Sequence, residues 1–217
     1  MIIIWVHRLI INLPCLIILF VFNQINLENY VMKKNTPYNI SPANIIDFWF
    51  SKENQPLWFA KNKKFDALIK NKFHNVYQQA ASGNLDHWKN TPEGLLALII
   101  ILDQFPRNMF RDKPTAFATD EKALYFTKYA INHGLNNKLS KKEYQHFLYL
   151  PLMHSENLTD QKLCLDLFKE QEEPLKYAKL HYNIINKFGR FPHRNKILGR
   201  TSTQEELEFL AQPNSSF

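Results

Sequence analysis

The chain has 217 residues, 45% of them apolar and 22% charged, with a formal net charge of +7. This length allows one domain or two small ones, and the composition is that of an ordinary globular chain. A disordered chain, a collagen and a multi-span membrane protein are excluded, and only five Gly argue against glycine loops that cradle phosphates.

Residues 1–31 differ from the rest. An apolar stretch, Leu9–Phe22, is interrupted by Asn12 and Pro14. A spanning helix needs about 20 mostly apolar residues, and no small-residue cleavage site follows. The segment reads as an extension upstream of a start at Met32. The alternatives are a membrane anchor through residues 9–27 and a helix packed on the domain. It carries Arg8 and Glu28, so the +7 belongs to the remainder. The expected location is the cytoplasm, with membrane attachment only if 1–31 is a real anchor. Cys15 and Cys164 make neither a disulfide framework nor a metal motif.

From 36 to 217 the chain reads as one all-α domain of about eight helices. Ser41-Pro42 supplies an N-cap and a proline at the first helical position, opening a helix to Phe50. Pro56 opens a long helix to Ala81, stopped by Gly83, with Phe65, Leu68, Ile69, Phe73 and Val76 as its apolar stripe. Thr91-Pro92-Glu93 starts a helix whose body, Leu95–Leu102, is apolar all round and so central; Pro106 ends it. Further helices run from Pro114 or Asp120 to His133, from a capping box at Ser140–Glu143 to about Pro151, from Asp160 to Glu173, and from Pro174 to Phe188, which Gly189 closes. Ser202 and Glu205 read as a capping box before the last. Short connections between them predict antiparallel hairpins.

The positive charge is uneven. Only six residues are Arg, and Arg107, Arg111, Arg190, Arg194 and Arg200 fall in two short windows; the other 21 cations are Lys. Arg is not replaceable by Lys where a planar fork grips an oxyanion. The windows echo one another, Phe105-Pro106-Arg107-Asn108 against Phe191-Pro192-His193-Arg194-Asn195. Two such loops facing each other would share an anion, with Asn108, His193 and Asn195 as neutral donors. Ion pairing that ties helix ends to loops is the competing reading. Asp103 ends a buried helix, where the dipole disfavours an anion by about 0.3–1 kcal/mol, so a cation should compensate.

His154 and Glu156 lie two residues apart and would diverge on a helix. His181 shares an inward face with Ile184, Ile185 and Phe188. Asp103, Glu156, His154 and His181 are the candidates for acid–base chemistry or a carboxylate–imidazole metal site. No His-Glu-x-x-His motif supports a metal, so none is assigned, and no motif names a cofactor. Phe48-Trp49-Phe50, Trp58-Phe59 and Trp88 read as core. Lys residues mixed with acids along every helix argue against nucleic acid.

Several segments together resemble one family: Ile45–Phe50, Gly83–Trp88, Thr91–Gly94, Leu102–Asn108, Phe117–Asp120, Phe147–Glu156 and Gly189–Asn195. The chain from about Ile40 is similar to the bacterial domain-of-unknown-function family 924. The resemblance implies an irregular stack of helical hairpins similar to tetratricopeptide-repeat proteins, and no activity, substrate or cofactor. The expected function is a binding module with an Arg-lined pocket for a small anion or an acidic peptide end. The alternatives are a hydrolase with a His/carboxylate site, with or without metal, and a structural adaptor.

Overall fold

The structure, a computed structural model, describes residues 40–213 and 215. The readings placed on 1–31, including the anchor at 9–27, lie outside the described residues. Every regular element among the described residues is helical.

Helix α1 (Pro42–Trp49) starts as the sequence predicts: Ser41 and Asn44 form a reciprocal cap. The next helix differs. Pro56 opens only a 3-10 turn (Gln55–Leu57), and α2 (Lys63–Ala81) begins later, where Asn62 accepts from the amides of Lys64 and Phe65. A side-chain oxygen that bonds two first-turn donors is a stronger start than a proline, which satisfies none.

Helix α3 (Pro92–Ile99) is capped by Thr91 and buried from Gly94 onward. Gly94 is required by close approach, because a Cβ there would sit 2.0 Å from the Trp88 carbonyl oxygen. The helix does not stop at Pro106. It widens into a π-helical turn (Ile100–Gln104) and continues as α4 (Phe105–Met109). Pro106 has no N–H for the Leu102 carbonyl four residues earlier. Thr119 Oγ1 donates to that carbonyl at 2.6 Å, and the Phe105 amide reaches back five residues to Ile100. The proline is absorbed by a wider turn and a borrowed hydroxyl.

Helix α5 (Asp120–Asn132) follows a 3-10 turn (Pro114–Phe117). Helix α6 (Lys142–His154) carries Pro151 inside it and runs past the predicted stop, and Ser140 caps nothing, since Lys141 holds the N-cap position. Helix α7 (Leu158–Phe168) is capped by Asn157. Helix α8 (Glu172–Phe188) ends on Gly189 at φ 69°, the left-handed cap predicted for it. Helix α9 (Gln204–Leu210) is boxed by Thr203 and Glu206, one position later than the sequence suggests.

Neighbouring helices pack in succession, α5 on α6, α6 on α7 and α7 on α8, while α3 lies against α1, α5 and α6. This places the α3–π–α4 rod at the centre, where its all-round apolar surface belongs. Trp49 meets Phe105 and Phe147 edge-on at 5.7 and 5.5 Å, and Phe48, Phe50, Trp58 and Trp88 pack against the same core, whereas Phe59, read as core from the sequence, is 71% exposed. Each fully buried ring of this kind contributes about 1.5–3 kcal/mol. Cys164 is buried within it, and burial pushes its thiol up to about 12. Among the described residues no helix is long and apolar enough to cross a membrane.

Candidate functional site

The π-helical turn delivers Asp103, with no exposed surface, into the interior beside the end of α6. A π turn shifts the helix face by a fraction of a residue, and such turns recur at functional positions. An unpaired carboxylate there would be very costly. Three groups compensate. His154 Nδ1 lies 2.8 Å from Asp103 Oδ1, Arg107 Nη2 lies 3.3 Å from the same oxygen, and Gln104 Nε2 donates to Oδ2. Burial alone would raise the Asp103 pKa, but Arg107 and His154 outweigh it and hold the group well below the carboxylate range.

His154 sits on the last residue of α6, and the next turn is pinned. The Gln161 amide on α7 donates to the carbonyls of Met153 and Ser155 at 2.7 and 2.8 Å. Because an ionised carboxylate only accepts, the proton lies on His154 Nδ1 and the lone pair on Nε2. Burial and the Arg107 charge lower the His154 pKa against the pull of Asp103, leaving the ring neutral near pH 7.

Arg107 spans to α5. Its two terminal nitrogens reach both Asp120 oxygens at 3.0 and 3.1 Å, and Nη1 also donates to the Asp103 carbonyl at 2.6 Å. Asp120 in turn lies 3.7 Å from Arg194 Nη1, beyond hydrogen-bond reach. The two windows therefore do meet, through Arg107 and Arg194 on either side of Asp120. Both guanidiniums face the Phe117 ring, at 5.7 and 4.9 Å from its centroid, and Arg194 also lies 4.5 Å from the centroid of Phe191 on its own loop.

Arg194 is the anomaly. Its side chain is 9% exposed; among the described residues its Nε is buried without a hydrogen-bond partner, and its closest carboxylate is the distant Asp120. Two aromatic contacts supply about 2 kcal/mol each at best. Removing a cation from water costs several kcal/mol. Burial, reinforced by the Arg107 charge, accordingly brings its pKa down to about 10. It remains a cation at neutral pH, incompletely compensated.

The loop that carries Arg194 is fixed by Glu156, which accepts from the Phe191 amide at 2.8 Å and from Arg200 at 2.7 and 2.9 Å. His181, on α8, lies with its ring 6.4 Å from the His154 ring and its Nδ1 2.8 Å from the Tyr177 carbonyl. Burial pushes His181 down to about 3 and His193 down to about 4.

The sequence candidates thus divide. Asp103, Arg107, His154, His181, His193 and Arg194 fall in one region. Arg111 and Asn108 turn to Asp66 on α2, and Arg190 and Asn195 to Glu206 on α9. These last are ion pairs and caps that tie loops to helices, as the competing reading expects. Glu156 is engaged by Arg200 rather than by a histidine, and among the described residues no three His, Cys, Asp or Glu side chains are grouped to hold a metal ion. Sequence reasoning passed over Phe117 and Asp120. Asp120 begins a helix, where an acid reads as ordinary first-turn chemistry.

A family model described as "Bacterial protein of unknown function (DUF924)" matches residues 45–214. A solved structure of a protein of unknown function from Agrobacterium tumefaciens is 38% identical and superposes with a TM-score of 0.75, covering 78% of this chain and 96% of that one. No curated protein matches the chain.

Proposed function

We propose that this chain, which belongs to the bacterial protein family of unknown function DUF924, binds a small oxyanion, a carboxylate or a phosphate, at Arg194. The observation that supports this is the buried Arg194 guanidinium, stacked against Phe117 and Phe191, with its Nε unpaired and no carboxylate within hydrogen-bond reach among the described residues. Every other Arg described here has a bonded carboxylate: Arg107 has Asp120, Arg111 has Asp66, Arg190 has Glu206 and Arg200 has Glu156. A planar fork held between rings is suited to bidentate recognition of a planar or tetrahedral oxyanion.

Thermal and calorimetric titration with orthophosphate, sulfate and succinate tests this. A bound anion at a hundredfold excess over its dissociation constant stabilises the fold by about 2.7 kcal/mol. Arg194→Met should abolish that gain. Arg194→Lys should weaken binding about tenfold or more, because an ammonium lacks the fork. If none of the anions stabilises the wild type, or if they stabilise Arg194→Met equally, the reading fails.

A further inference from the structure

We infer that His154 is the proton-transfer residue of an active site, taking a proton from a small substrate whose oxyanion group Arg194 holds. The inference rests on the anion reading for its substrate class, but its chemistry stands on separate geometry.

That geometry is the joint between the π-helical turn and the end of α6. Asp103 is wholly buried, and the hydrogen bond from His154 Nδ1 fixes which ring nitrogen carries the proton. The His154 side chain keeps 16% exposure, and its Nε2 has no hydrogen-bond partner among the described residues. One nitrogen is anchored on a dry carboxylate while the other presents a lone pair toward solvent. A purely structural role explains this poorly, since buried charges such as Asp103 and Arg107 are seldom more stabilising than apolar side chains of the same volume. The arrangement is also held from three sides: Gln104 on Asp103, Arg107 on the shared oxygen, and Gln161 on the carbonyls flanking His154. Such fixing of a base by a carboxylate is what general-base catalysis needs.

The shared oxygen sets the direction of the chemistry. Arg107 competes for Asp103 Oδ1, so His154 rests as a neutral imidazole, a base rather than an acid. The same Arg107 pairs with Asp120, which lies 3.7 Å from Arg194, so the base and the anion-holding cation share one neighbourhood. In the step, the Nε2 lone pair takes a proton from an O–H or C–H of the substrate, and the bonding pair stays on that oxygen or carbon. The imidazolium is stabilised by Asp103, and returning the proton to the product restores the neutral ring. No co-reactant is needed for the transfer.

The test uses the full chain and diethyl pyrocarbonate, which acylates an imidazole only at a nitrogen with a free lone pair. The nitrogen attacks one carbonyl carbon. The ethyl carbonate expelled leaves with the ring proton and breaks down to ethanol and carbon dioxide. Peptide mass mapping at pH 7 should find His154 modified at least as fast as the exposed His87 and His133. Asp103→Asn should slow His154 about tenfold or more by favouring the other tautomer, without slowing His87. Orthophosphate should protect His154. An inert His154, or one equally reactive in Asp103→Asn, overturns the inference. Reaction that depends on Asp103 but ignores phosphate upholds the base and sinks the anion reading. Should Asp103→Asn not fold, nitrogen-15 spectra of the wild type decide: an Nδ1–H neutral tautomer for His154 at pH 7 is expected, and an Nε2–H tautomer or an imidazolium overturns it.

Discussion

Glu156 shows how much one side chain organises. It accepts three hydrogen bonds, one from the Phe191 backbone and two from Arg200, and so joins the end of α6 to the loop that stacks on Arg194. Burial raises its pKa, and the Arg200 and Phe191 donors more than reverse that, so it is ionised at neutral pH. Glu156→Gln keeps the shape but removes the charge that Arg200 faces. Hydrogen bonds to charged groups contribute about 1.5–3 kcal/mol, and this pair is about a quarter exposed, so a loss of about 1–2 kcal/mol is expected in urea unfolding. Anion affinity should fall with it, because the Arg200 clamp that holds Glu156 against the Phe191 loop is weakened. Arg190 makes a similar pair with Glu206, which brings that carboxylate down to about 2 through its hydrogen bonds. Arginine type alone does not separate these roles; the partner does.

At the scale of elements, the α3–π–α4 rod is the decisive piece. Its apolar body is plain in the sequence, and so is the proline expected to end it. What continues the helix is Thr119, seventeen residues away in the chain, whose hydroxyl takes the Leu102 carbonyl that Pro106 leaves without an amide. Thr119→Val keeps the volume and deletes that donor. Leaving a buried carbonyl short costs about 1–3 kcal/mol. Urea denaturation should show a loss of that size, and His154 reactivity should drop with it, because the turn that places Asp103 relaxes. An unchanged midpoint would mean that the π turn needs no help from α5. Helix ends were legible where a neighbouring residue caps its own helix, as at Ser41 and Thr91 for starts and Gly189 for a stop. They were misread where several polar residues compete for one role, as at Ser140 and at Ser202 beside Thr203.

The whole molecule carries a set of histidines kept neutral by burial. Against a usual value of 6.5, His181 lies at about 3, and His146 and His193 at about 4. The folded state therefore binds fewer protons than the unfolded chain between pH 6.5 and about 4. Stability is complete above 6.5 and falls as pH drops through that window, by at most about 1.4 kcal/mol per histidine per pH unit. The lowered carboxylates Asp66, Asp103 and Glu156 add their loss only below about 4.5. Denaturant unfolding at pH 7, 6 and 5 should show a steady decline, and His146→Gln should flatten it. A flat profile from 7 to 5 would show these rings to be protonated in the fold.

The amino-acid sequence by itself determined the all-helical class of the described residues, the central apolar helix, several helix ends and the family. These follow from periodicity and from caps a few residues apart, which are local properties of a chain. It also marked the two Arg windows. Only the tertiary structure decided which of their cations are satisfied, because Asp66, Asp120, Glu156 and Glu206 come from distant parts of the chain. The same holds for the meeting of Asp103 with His154, 51 residues apart. A charge is a site or a strut according to what is packed against it, and packing partners are set by the fold.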